Sequence, residues 1–374
     1  MLIKNTNLNI HKFKKILLIF FIILFACHLL FRIYAYRGRY TTKFNSNYWK
    51  ERYLKSQWVV PNSTNSIGDD GLYIYSSWEL IKGADPTLIN PETQYLSKYF
   101  LGLTILLFKN ENIFALIIGL SSLGVYYIFN YQIFKSKFWA FLPAMLFSFD
   151  PLFYTQLRAP FFDLTQLLFL LLVFIFIIKK KYFISSIMLG FFAASKLAFL
   201  AVLPVLAILI AITIHYKDKK EIYKYFLSLP ISFFVFVLTY LRYFLIGHNF
   251  IDFIKVQKYI LSFYKDGARS PFIGTIFPLI LQGKWYTHFS TIQIVKEWSM
   301  LWPLSSIVSV FSFFQRKNIQ FPILLVISWS AIYGAFLAIS PVFPRYLLLL
   351  LPFLYNLTVW VISKSIPLKL LSRQ

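Results

Sequence analysis

Two adjacent carboxylates, Asp69 and Asp70, lie between glycines in the stretch IGDDGLYIYSSW. Such a pair can supply a general base for a hydroxyl, or hard oxygen ligands for a divalent metal ion. The same residues also read as an Asp-Gly turn whose second acid is merely solvated. A second group of charges, Asp150, Arg158 and Asp163, occupies SFDPLFYTQLRAPFFDLTQLL, a short polar break between apolar runs. Charges at the edge of a membrane are costly unless paired or used. Either Arg158 and Asp163 neutralise each other, or they serve a ligand. Lys196 in GFFAASKLAFLAVLP and Arg345 in SPVFPRYLLLLLP have no acid beside them in the sequence. Each is a snorkelling side chain or a phosphate ligand. Acids that activate a nucleophile, beside bases that hold a phosphate leaving group, form a workable division of labour.

The elements that must carry these residues are apolar. Of 374 residues, 58% are hydrophobic and only 14% charged, with 21% aromatic. A single water-soluble core stops growing near ~250–300 residues and needs less apolar surface than this. Runs of bilayer-spanning length recur instead, which predicts an all-α polytopic membrane protein of about ten transmembrane helices. They fall near 16–35, 113–133, 138–152, 163–178, 182–195, 197–216, 224–246, 298–314, 320–339 and 345–362. The basic start MLIKNTNLNIHKFKK precedes an apolar run with no convincing small-residue cleavage site, so the first helix is read as uncleaved. The segment 95–108 is apolar but flanked by Lys98 and Lys109, and is read as a helix in the outer interface. The whole chain, 1–374, reads as one transmembrane domain with two long outer loops, near 36–112 and 247–297, that carry interfacial helices.

Charge sets the orientation. The formal net charge of +24 would suggest nucleic acid in a soluble protein, but here the basic residues punctuate hydrophobic runs. No nucleic-acid partner is expected. With both termini cytoplasmic, the inner segments are the N-terminal tail, Lys135/Lys137, Lys179–Lys181, 217–224, Arg316/Lys317 and the C-terminal tail. They hold eighteen of the 38 Lys and Arg, and only two of the 14 acids, Asp218 and Glu221. The short outer loops contain just Arg158, Lys196 and Arg345, as the positive-inside rule requires. The long outer loops are basic too, but long loops are weak voters under that rule. A single cysteine, Cys27, excludes an internal disulfide and any cysteine-based metal cluster, and the five scattered histidines offer no ligand spacing. The acidic pair leaves room for a divalent metal ion; no other cofactor is indicated.

Taken in order, the motifs resemble a known superfamily. An acidic pair follows helix one, then G-x-D-P-x-x-x-x-P, L-x-K-Y-x-x-G-L, R-x-x-x-x-D, S-K-L-A at a helix junction, and a late P-R-Y-x-x-x-x-x-P. The chain resembles the GT-C superfamily of polyprenyl-phosphate-sugar glycosyltransferases, and within it the protein O-mannosyltransferase family, glycosyltransferase family 39. The likeness covers roughly 65–200, with the C-terminal part similar only in layout. It implies that Asp69 and Asp70 match the family's Asp-Glu pair, with Asp69 the catalytic base. Lys98 matches its P-P-L-G-K stretch, although Gln94 and Tyr95 replace both prolines and Ser97 the glycine. Arg158 and Asp163 match its Arg…Asp loop with one residue more between them. The region 253–285 lacks the family's later His-Pro.

What the resemblance implies is an inverting transferase in the cell membrane with its active site facing outside. It would move a hexose such as mannose from a polyprenyl-phosphate donor to a hydroxyl of a protein, glycan or lipid acceptor. Asp69 and Asp70 would be catalytic; Lys98, Arg158, Asp163, Lys196 and Arg345 would bind substrate. The alternative is a transporter or flippase for a lipid-linked or small anionic substrate, which tends to show internal repeats and mid-membrane charges. No repeat is visible here. A membrane scaffold without chemistry is a third reading, and it would not need Asp69, Asp70, Asp163 and Lys196 together.

Overall fold

The computed structural model describes residues 2–216, 219–267, 273–287, 291–314 and 319–365, with side chains from Lys15 onward and none at 266 and 267. Lys217, Asp218, Arg316, Lys317 and the basic tail beyond Ser365 lie outside the described residues. So do 268–272 and 288–290 of the second outer segment.

The described chain is 75% helical. Lys15–Ala35, Asn112–Phe134, Ala198–His215, Lys219–Leu238 and Phe321–Ile339 are each long and apolar enough to cross a bilayer. Shorter apolar helices are Leu96–Phe108, Lys137–Phe149, Asp163–Ile178, Tyr182–Ser195 and Leu301–Phe313. Each expected run is therefore helical, but several break where the sequence suggested continuity. The run 224–246 ends at Leu238, and a short helix Leu241–Leu245 follows. The run 345–362 splits into a 3-10 turn, Pro344–Leu349, and a helix, Leu351–Ser365. The described exception to all-α is one antiparallel hairpin, Lys284–Tyr286 with Ile292–Ile294, in which Trp285 faces Gln293.

Many large side chains stay exposed on these helices, among them Phe20, Ile23, Leu107, Phe233 and Phe234. An outer surface of that kind suits lipid, because tails solvate it without penalty. Inside lies the Asp163–Ile178 helix, apolar all round, with twelve of its sixteen residues buried. It packs against Tyr182–Ser195, the next helix in the sequence, and against Asn112–Phe134, from which two intervening helices separate it along the chain. Tyr182–Ser195 in turn packs against Lys219–Leu238, and Val202–His215 against Phe321–Ile339.

Two glycines permit unusually close helix contacts. A Cβ on Gly190 would meet the Ser232 carbonyl oxygen at 2.6 Å, and one on Gly102 the Ser77 carbonyl oxygen at 2.6 Å. Small residues at such crossings let backbones touch, which is how helices gain van der Waals contact where lipid offers no hydrophobic drive. Gly102 thereby holds Leu96–Phe108 against Asp69–Ile81, the helix that begins with the acidic pair.

Candidate active site

Four of the expected site residues sit where helices begin or end. Asp69 opens the Asp69–Ile81 helix after the N-cap Gly68, and Asp163 opens Asp163–Ile178 after Phe162. Helix N-termini carry partial positive charge and unpaired amides, so a carboxylate is stabilised there. Lys196 follows the last turn of Tyr182–Ser195, where a cation is favoured, and Arg345 lies in the Pro344–Leu349 turn. The Asp163–Ile178 helix thus has its acid at one end and Lys179–Lys181 at the other, and the chain returns to Lys196 beside that acid.

The four charges form a chain. Lys196 Nζ donates to Asp163 Oδ1 at 2.6 Å, Arg345 Nε stands 3.9 Å from Asp163 Oδ2, and Arg345 Nη2 donates to Asp69 Oδ2. Side-chain exposure rises along it, from 2% at Lys196 and 4% at Asp163 to 22% at Arg345 and 39% at Asp69. Asp69 is the most exposed end of the chain of charges. Burial lowers the pKa of Lys196, and the adjacent Asp163 carboxylate works against that loss. Asp163 Oδ2 and Arg345 Nε make no hydrogen bond of their own. Tyr346 and Phe343 offer ring faces to Lys196 and Arg345 at 5.3 and 5.1 Å, a contact that favours cations.

All four line one cavity of about 510 Å³. Its other walls are largely aromatic and aliphatic, including Tyr73, Tyr264, Phe199, Leu261, Phe336 and Ile339. An apolar chamber with a few convergent charges is the usual form of a small-molecule site.

The other three expected residues do not line it. Asp70, beside Asp69, is absent from the cavity wall. Lys98 is fully buried, donates from Nζ to the Asn90 carbonyl oxygen, and borders a separate small pocket with Ser76 and Asp85. Arg158 is 44% exposed and stands 3.9 Å from Glu297, so the Arg158–Asp163 pair considered from the sequence does not form. Nor are Lys196 and Arg345 without acids: the partners their sequence neighbourhoods lack arrive from 33 and 276 residues away. Asp150, grouped with Arg158 and Asp163 by sequence, is enclosed by Trp302 and Tyr355. Glu92, which drew no notice in the sequence, lines the cavity. Among the described residues no three His, Cys, Asp or Glu side chains gather as a metal site would require.

No protein-family model matches the chain, and no curated protein matches it in sequence. Solved structures do. The crystal structure of ArnT from Cupriavidus metallidurans bound to undecaprenyl phosphate superposes with a TM-score of 0.62 at 16% identity, covering 80% of this chain and 56% of that one. The fold is that of ArnT. Its apo structure gives the same TM-score of 0.62 at 14% identity, over 81% of this chain and 56% of ArnT. The chain thus spans little more than half the length of ArnT. The all-α polytopic membrane architecture expected from the sequence is the architecture found, and this is an integral membrane protein.

Proposed function

We propose that this protein is a membrane glycosyltransferase that moves a sugar from a polyprenyl-phosphate donor to an acceptor hydroxyl. The observation that carries the reading is the chain of four charges, ending in the most exposed carboxylate, inside an apolar cavity of the ArnT fold. ArnT itself has been crystallised with undecaprenyl phosphate, a lipid of the class the donor would release.

The chemistry balances on these residues. Asp69 takes the proton of the acceptor hydroxyl, and that oxygen attacks the anomeric carbon. The bond from that carbon to the phosphate oxygen breaks, and its electron pair leaves with the lipid phosphate. The donor phosphate carries one negative charge and the product two, while Asp69 becomes neutral. One unit of negative charge therefore moves from Asp69 to the phosphate. Arg345, in contact with Asp69, can follow it. Arg345 holds Asp69 as an ion pair; an arriving phosphate competes for the guanidinium and frees the carboxylate to act as base. Lys196, held by Asp163, adds a second cation to the same wall.

The finer reading follows the sequence: a hexose such as mannose, a relation to the protein O-mannosyltransferases, and an acceptor that is a protein, glycan or lipid of the cell envelope. The site lies at the helix ends opposite Lys179–Lys181, and the positive-inside rule then supports an outward-facing site.

The test is release of polyprenyl phosphate by the purified protein from a panel of polyprenyl-phosphate sugars. Wild type should cleave one of them, and Asp69→Asn should turn over roughly 10²–10⁴-fold more slowly while still binding donor. Movement of an intact lipid-linked sugar across vesicles, with no cleavage, would instead make the protein a flippase.

A further inference from the structure

The polar turn NPETQ meets the motifs above only at Asn90, Pro91 and Gln94, none of them given a role, yet three of its side chains line the cavity: Asn90, Glu92 and Thr93. Glu92 is only 4% exposed. Its Oε1 accepts from Asn90 Nδ2, and its Oε2 has no hydrogen-bond partner. A buried acceptor left unpaired is costly, so a carboxylate kept this way in a cavity wall calls for a ligand.

The turn is built rather than loose. Asn90 adopts a left-handed backbone, φ 55°, which asparagine tolerates. Thr93 Oγ1 donates to Asn90 Oδ1 at 2.5 Å, and Lys98 Nζ donates to the Asn90 carbonyl oxygen. Lys98 therefore positions this turn instead of reaching the cavity. The turn is also tied to the charged wall: Gln94 N donates to the Lys196 carbonyl oxygen at 3.2 Å, and Ser97 Oγ to the Ser195 carbonyl oxygen at 2.6 Å. Whatever the turn binds is held in register with whatever Lys196 and Arg345 bind.

We propose that Asn90, Glu92 and Thr93 form a polyol-reading subsite that hydrogen-bonds hydroxyl groups of the donor's sugar, while Arg345 and Lys196 hold its phosphate. This rests on the glycosyltransferase reading and assigns the sugar half of the same cavity. A carboxylate, an amide and a hydroxyl together offer both donors and acceptors, which is what a sugar's hydroxyls need. A metal ion fits worse, since it would need several more oxygen ligands than one carboxylate provides. Burial raises the pKa of Glu92, with Lys98 opposing; a carboxyl that gains a proton readily can also donate to a hydroxyl.

The experiment compares two ligands on the purified full chain: a polyprenyl phosphate and the same lipid bearing mannose. In Glu92→Ala, affinity for the sugar-bearing lipid should fall roughly ten- to a hundredfold, as for a lost strong hydrogen bond, with the bare lipid phosphate bound as by wild type. Glu92→Gln, nearly the same shape, gives the same comparison if the alanine variant folds poorly, and its preference should shift in the same direction by a smaller factor. Equal losses for both ligands would make Glu92 a structural residue, and unchanged affinities would make it a bystander; either result overturns the subsite. Wild type that binds neither lipid would sink the glycosyltransferase reading as well, so the two failures are told apart by the unmutated protein.

Discussion

Asp150 and Asp163 stand at the two ends of one loop, both buried and both at a helix N-terminus, yet they are put to opposite uses. Asp150 caps Pro151–Gln156 by accepting from Leu152 N at 2.7 Å, and it accepts from Trp302 Nε1 at 2.8 Å and from the Tyr355 hydroxyl. Its named donors are neutral, both oxygens are used, and it lines no part of the cavity. Asp163 instead pairs with Lys196 and approaches Arg345, and it keeps one oxygen without a hydrogen bond in the cavity wall. Residue type and burial do not separate the acid held by neutral donors from the acid of the proposed site. The charge of the partners and the unfinished hydrogen bonding do.

One substitution made twice puts this comparison at risk. Asp163→Asn strands a buried lysine, and breaking a buried ion pair from one side typically costs about 3–5 kcal/mol of stability. Asp150→Asn keeps one acceptor oxygen but turns an amide N–H toward a buried donor, and should cost less, about 1–3 kcal/mol. Unfolding midpoints of the two variants measure the gap; equal losses would mean that Asp163 is no more committed to charge than Asp150.

The second prediction sharpens the first. Lys196 seen as a lone base suggests that Lys196→Met changes little, but its pairing with Asp163 predicts a loss like that of Asp163→Asn. Joining the two should recover most of it, because the double variant leaves neither charge unpaired. A double variant as unstable as the sum of the singles would show that the pair is not what holds either residue.

The smallest effect belongs to Arg158, at the exposed middle of the same loop. Its long contact with Glu297 is solvent-screened, so Arg158→Ala should change stability by about 0–1 kcal/mol. Affinity for polyprenyl phosphate should not change. A tenfold loss would return Arg158 to the phosphate site.

The helices were largely legible because lipid demands long apolar runs, and the runs carry their own ends in Lys clusters and prolines. Breaks such as that after Leu238 were not, since no glycine or proline marks them. Within the site, Asp69, Asp163, Lys196 and Arg345 stood out as charges that a membrane edge does not tolerate idly. Their pairing did not, because the acid and base come from different helices and only packing brings them together. The direction of Lys98 was not legible for a related reason: its side chain turns to the Asn90 carbonyl. Glu92 was invisible because an acid among Asn, Pro and Thr looks like an ordinary wet turn, and burial alone distinguishes it.

The contact at Gly102 has a consequence for rate. With Ser77 only 2.6 Å from where a Cβ would stand, the spacing of Leu96–Phe108 and Asp69–Ile81 is set by the absence of a single methyl group. Asp69 rides on one of those helices, and a displacement of about 1 Å in a reacting group can slow a reaction roughly a hundredfold. In the proposed reaction, velocity would thus be tuned by a position that meets no substrate, and drift at such a glycine would alter it while leaving every ligand contact chemically intact.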